Sequence, residues 1–253
     1  MPSWVGPVAS YAAGGLETTV LLAVVTIAVS IVVGTVIGTF LTVPSRLARL
    51  PLRLYVEVWR GLPIIVTLFF VFFALPIIGF HVNTFGAAAI GLSLWGTANV
   101  AEIVRGAVQS IPSGQSEAAA ALGFRWAQRM RYVVLPQAAR RTLPPMVSLL
   151  TNLTQATTLG VVIGLLEVLE ASQRSIERLL VGTGNSHAIA ILGAVLVIFF
   201  VICFPLTVLS RWLERRLGPS RGGVGGRRRG PWRGGRRAST VAQAGQKLDQ
   251  VGV

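Results

Sequence analysis

The chain has 253 residues, 53% of them hydrophobic and only 13% charged, with a mean hydropathy of +0.67. That composition excludes an ordinary soluble globular domain and places the chain in a lipid bilayer. The net charge of +14 raises nucleic acid as a partner, but half of it lies in residues 218–253, where eight basic residues stand against Asp249 (8 − 1 = +7); no nucleic acid partner is expected.

Five apolar runs are each long enough to cross roughly 30 Å of hydrocarbon as a helix. They cover 16–43, 56–78, 85–107, 145–166 and 188–209. Residues 1–15 read as a short extracytoplasmic N-terminus. No basic residue precedes Arg46, so the charged start of a secretory signal peptide is missing and the first run is expected to stay as a permanent span. Arg46, Arg49 and Arg53 follow the first run, Arg125, Arg129, Arg131, Arg140 and Arg141 the third, and Arg211, Arg215 and Arg216 the fifth. Since arginine-rich segments stay in the cytoplasm, the N-terminus is expected outside and the C-terminus inside. The segment after the fourth run holds Glu167, Glu170 and Glu177 with only Arg174 and Arg178, and reads as an external loop. Residues 218–253 are rich in Gly and Arg; such a tail buries too little surface to fold and is expected to be disordered against anionic headgroups, with RNA as the sharper alternative.

The link between the third and fourth runs, 110–143, is far longer than the others and sets Ala, Leu, Phe, Trp and Met at helical intervals between arginines. That pattern describes a short amphipathic helical element on the cytoplasmic face, which needs a partner. Inside it stand Glu117, Ala118 and Ala119, then Gly123, Val133, Leu135 and Pro136. The spacing resembles the E-A-A-x3-G-x9-I-x-L-P loop of ABC importer permeases, with valine in place of isoleucine. The finer segments Y-V-E-V-W-R-G-L-P (55–63), A-E-I-V-R-G (101–106) and L-P-Q-A-A-R (135–140) are similar to those of the subgroup that imports polar amino acids.

This resemblance implies an all-α, polytopic membrane bundle of about five transmembrane helices, a permease domain over 16–217, and a cytoplasmic coupling-helix loop. It implies a cytoplasmic ABC ATPase dimer, a second permease subunit (identical or homologous), an extracytoplasmic solute-binding protein and a small polar solute as partners, beside the membrane lipid that the composition already implies. The coupling role would fall to Glu117, Ala118, Ala119, Gly123, Leu135 and Pro136. Small alanines admit a close partner, Gly123 lets the chain turn between two short helices, and Leu135 and Pro136 would end the second helix. No cofactor is expected in this chain. The sole lysine, Lys247, is not followed by Ser or Thr, so ATP and Mg would sit on the partner ATPase.

Polar residues inside the third and fourth runs are candidates for the solute pathway: Glu102 and Arg105, three apart and able to pair on one helix face, and Asn152, Gln155, Thr157 and Thr158. Hydroxyls bonding back to their own helix are the structural alternative for the threonines. Where the subgroup commonly has K-D-T-S-L, this chain has Gln155, Ala156, Thr157, Thr158 and Leu159, which leaves the solute open. His81, His187 and Cys203 are too scattered for a metal site, and no catalytic motif is present. The rival reading is an ion-coupled secondary transporter with Glu102 as its intramembrane ion site.

Overall fold

A computed structural model describes residues 4–217; the basic tail lies outside the described residues. The first helix, α1 (Val5–Phe40), begins well ahead of the expected span. Its 36 residues make a rod of about 54 Å, longer than the hydrocarbon core needs. The buried stripe of α1 is almost entirely small: Gly15, Thr19, Ala23, Thr26, Ser30, Gly34 and Gly38, with Leu22 among them. The intervals of three and four residues keep the stripe on one helix face.

That face packs on α4 (Thr84–Gln109), whose buried residues include Gly96, Thr97, Val100, Ala101 and Val104. The backbones come very close. A Cβ on Gly34 would stand 2.5 Å from the Val100 Cβ, and one on Gly38 2.5 Å from the Ala101 carbonyl oxygen, while Gly96 lies directly against the Ser30 hydroxyl. Between helices in lipid, where no hydrophobic effect drives association, such close packing supplies the contact energy. Thr19 and Thr26 donate to the carbonyls of Gly15 (3.0 Å) and Leu22 (2.8 Å), so these hydroxyls cost nothing inside the bundle.

After α1 the chain crosses over through α2 (Arg46–Gly61) and α3 (Ile64–Ile77), which meet at a bend of 108°. The second expected span, 56–78, is therefore two helices. Leu62, which precedes Pro63, is held extended (φ −84°, ψ 139°) because the proline ring excludes the helical region for the residue before it. Among the described residues, four helical rods are long and apolar enough to cross a membrane, one of them the continuous Trp126–Ile163, and the bent pair supplies a fifth candidate.

The link at 110–143 folds into α5 (Ser113–Ala121) and α6 (Trp126–Arg129), then a π-helical turn (Met130–Val134) that runs directly into α7 (Leu135–Ala156). Leu135 and Pro136 thus do not end a helix as the sequence suggested; they open α7. Pro136 has no N–H and its ring would collide with the carbonyl four residues back, and the wide π turn accommodates that defect without breaking the rod. A 3-10 segment (Thr157–Ile163) closes the fourth span at Gly164, φ +76°.

The segment read as an external loop is a helix, α8 (Val168–Thr183), buried through Val168, Ala171, Ser172 and Ser175. Glu167 caps it: the carboxylate accepts from the N–H groups of Leu169 (3.0 Å) and Glu170 (2.9 Å), while the Val168 N–H donates to Thr19 on α1 at 3.1 Å. The last helix, α9 (Ala188–Leu217), runs past the expected end of the fifth span. It is tied to α7 by Ser210, which donates to the Pro144 carbonyl at 3.0 Å and lies 2.8 Å from the Ser148 hydroxyl. With its one proton given to Pro144, Ser210 accepts from Ser148.

Candidate functional site

Two groups of candidate residues emerge, one in the link 110–143 and one where α2 crosses α4. In the first, α5 ends in a Schellman motif: the Gly123 N–H donates to the Ala120 carbonyl (2.9 Å) and the Phe124 N–H to that of Ala119 (3.1 Å), with Gly123 at φ +82°. This is why a glycine stands four residues after Ala119: the motif requires a left-handed residue just past the helix end.

Ala119 is buried, whereas Glu117, Ala118, Leu122 and Phe124 are exposed. Underneath, Ala107, Val108, Ile111, Met130, Val134 and Ala138 form one apolar cluster that joins the link to the ends of α4 and α7. Three polar ties add to it. Arg129 Nη1 lies 3.4 Å from the Ser116 hydroxyl, Gln137 donates to Gln115 at 3.4 Å, and Arg141 donates to the Ser110 carbonyl at 2.5 Å and hydroxyl at 3.0 Å. The link is thus a braced element, and a push on α5 reaches α7 through side chains. Residues such as Arg129, Gln137 and Arg141 were missed as functional from the sequence, where an arginine-rich loop reads only as a topology signal. Within the motif, Leu135 is half-buried and Pro136 exposed at the start of α7.

In the second group, Glu102 takes a bidentate pair from Arg105 (Nε to Oε2 2.8 Å, Nη2 to Oε1 2.5 Å), the strongest geometry for such a pair. Arg60, at the end of α2, approaches the same carboxylate at 3.6 Å, and Arg105 also donates to Gln109 at 2.6 Å. The pair expected from spacing forms, and Arg60 joins it across the fold.

The α7 candidates are separated from this cluster: the cleft lined by Glu102, Arg105 and Gln109 of α4 is completed by Leu41 and by α2 residues, with none from α7. Asn152 and Gln155 are exposed on α7. Thr157 is fully buried and donates to the Thr154 carbonyl at 2.7 Å, and Thr158 donates to that of Gln155 at 2.8 Å. The threonines are thus occupied by their own backbone; Asn152 and Gln155 are the exposed polar residues of the set, and Gln155 also reaches Cys203 on α9.

At the other end of the bundle, Glu167 has no exposed surface, so the segment expected to be external presents Gln173, Arg174, Glu177 and Arg178 instead. Burial holds the Glu167 carboxyl above its ordinary 4.5, opposed by the two backbone N–H donors and Thr19. Ionisation therefore costs native stability: the contribution is complete below the unfolded pKa and is lost as pH rises through the raised folded value. Glu167→Gln is expected to flatten the dependence of melting temperature on pH between 4 and 7, and Glu167→Ala, which removes the cap as well, to flatten it at a stability about 1 kcal/mol below that of the glutamine variant. Thermal unfolding in detergent across that range checks both.

Residues 30–219 match the family described as binding-protein-dependent transport system inner membrane components. The chain belongs to that family. Family members are the membrane-spanning permease subunits of ABC importers and not enzymes; ATP hydrolysis resides on a separate subunit. Among relatives of this permease, the glutamine transport system permease protein GlnP of Escherichia coli (strain K12) is 40% identical over 166 residues, 64% of this chain and 73% of that one. The arginine transport system permease protein ArtQ of Bacillus subtilis (strain 168) is 34% identical over 164 residues, 64% and 72% respectively. Of solved structures, the crystal structure of an amino acid ABC transporter with histidines superposes with a TM-score of 0.71 at 27% identity, covering 82% of this chain and 94% of that one. The MetNI methionine ABC transporter in an inward-facing conformation shares the fold, with a TM-score of 0.68 at 22% identity over 87% of this chain and all of the other.

Proposed function

We propose that this permease carries a polar amino acid, delivered by an extracytoplasmic solute-binding protein, through a pathway formed with a second permease subunit. The support is that relatives named for glutamine and arginine transport match the segment holding the A-E-I-V-R-G and E-A-A motifs. In this reading the N-terminus lies outside and the C-terminus inside, 16–217 is the permease domain, and residues 218–253 are dispensable for transport. ATP and Mg act on the partner ATPases, whose closure pushes α5 and, through Arg129 and Gln137, turns α7, while Arg141 holds α7 to the end of α4. Asn152 and Gln155 face the solute, and Glu102 and Arg105 hold α2 against α4 at the inner end of the pathway.

The observation carrying the coupling role is an apolar rim on an otherwise polar link: Leu122 is 78% exposed and Tyr132 64% exposed, beside Ala118 and Phe124. Several apolar residues exposed on one short link, rather than one alone, mark a surface for a partner. Leu122→Asp is expected to weaken association with the ATPase by roughly thirtyfold, the loss of one interface anchor, measured by titrating the ATPase onto permease in nanodiscs. Unchanged affinity with Glu117, Ala118 and Gly123 also substituted would refute the docking role.

A further inference from the structure

The short helix α2 carries charge and apolar surface that the transport reading leaves unused. Its residues sort by helical spacing into three faces. Leu52, Tyr55, Val56 and Trp59 turn toward the protein, Val56 fully buried. Leu47, Leu50 and Leu54 form a second stripe, 83%, 65% and 64% exposed. Arg46, Arg49 and Arg53 form a third, between the other two, and border a cleft of about 310 Å³ against the C-terminal ends of α1 and α4.

The charge in that cleft is unbalanced. Arg46, Arg49, Arg53 and Arg105 line it together with Glu57 and Glu102. Both carboxylates are engaged, Glu57 by Arg53 at 3.6 Å and Glu102 by Arg105 and Arg60. Arg46 and Arg49 have no carboxylate within 4.0 Å among the described residues. Two guanidinium groups therefore face an open, half-apolar cleft, and a guanidinium is shaped to take two phosphate oxygens at once.

The cleft also has a depth. The 108° bend between α2 and α3 sets α2 across the spans, beside the last two turns of α4, where Glu102, Arg105 and Gln109 line the same cavity. A helix lying there with leucines on one side and arginines on the next is built for the boundary between headgroups and acyl chains.

We propose that this cleft binds the phosphate of an anionic phospholipid through Arg46 and Arg49, with its acyl chains lying along Leu47, Leu50 and Leu54. The leucine stripe selects a lipid over a free phosphate ion, which would leave that stripe unpartnered. Because the cleft contains Arg105, bound lipid also touches the residue that pairs with Glu102.

The test uses the full permease complex reconstituted in nanodiscs of phosphatidylcholine containing a minor fraction of phosphatidylglycerol, then exchanged into detergent and examined by native mass spectrometry. Wild-type protein is expected to retain phosphatidylglycerol, and Arg46→Gln/Arg49→Gln to hold it roughly thirtyfold more weakly. Arg46→Lys/Arg49→Lys keeps the charge and should retain most of it, as should a chain lacking residues 218–253. Equal retention by the glutamine variant, displacement by millimolar inorganic phosphate, or a cross-link between two copies through residue 50 would each overturn the proposal. Melting temperatures of the variants within a few degrees of wild type establish that the loss is one of binding.

Discussion

Gly38→Val is expected to remove folded permease from the membrane fraction. A Cβ at residue 38 would stand 2.5 Å from the Ala101 carbonyl oxygen, 2.7 Å from the Val104 Cβ and 3.0 Å from the Ala101 Cα. Two of these three atoms are backbone of a neighbouring helix and cannot swing aside. Relief requires α1 and α4 to move apart along their whole stripe, which forfeits the contacts at Gly34 and Gly96 as well. Overpacking costs of order 1–3 kcal/mol where side chains can adjust, and here the upper end applies. Fluorescence-detected size exclusion and thermal unfolding would show it, with Gly193→Val as control, since nothing lies within 4 Å of a Cβ at residue 193. A monodisperse Gly38→Val protein with wild-type melting would contradict the close approach of the two helices.

Gly123→Trp has a different expected result: the fold survives and transport fails. Nothing lies within 4 Å of a Cβ at Gly123 and the residue is exposed, so a side chain can leave the backbone toward open space, and the strain of a left-handed residue costs about 1–2 kcal/mol at an exposed turn. The indole then projects from the link where the proposed ATPase partner would sit. Solute uptake is expected to fall by roughly tenfold or more, about 1.4 kcal/mol of coupling, while the complex continues to hydrolyse ATP. Gly123→Asn, which accepts the left-handed conformation, should retain most of the uptake. Unchanged uptake by the tryptophan variant would sink the coupling role.

The sequence made the bundle legible because bilayer thickness converts apolar run length directly into spans, and α4 and the start of α9 fall where the runs do. Boundaries failed where the cause was local or tertiary. Helix α1 extends past the expected start of its span, where Tyr11 and Gly15 meet Arg178 and Ala171 of α8, contacts invisible to hydropathy. The break at Leu62 follows from a proline inside a continuous apolar run. Leu135 and Pro136 looked like a stop signal, yet a π turn absorbed the proline. Gly123 and the Glu102–Arg105 pair were readable because each rests on short spacing, a helix terminus in one case and one helix face in the other. Arg60 and the ties from Arg129, Gln137 and Arg141 were not, since they join residues that only the folded chain brings together. Asn152 and Gln155 are exposed and Thr151 and Thr154 buried by which way α7 is turned, which spacing alone does not orient.

The most direct test of the permease assignment is solute uptake by proteoliposomes containing this chain, its ATPase and its solute-binding protein, assayed with labelled glutamine, arginine and histidine. The account predicts uptake of at least one of them that requires ATP and the binding protein and persists when a protonophore collapses the ion gradient. Uptake by the permease alone that needs no ATP and vanishes with the gradient would contradict it.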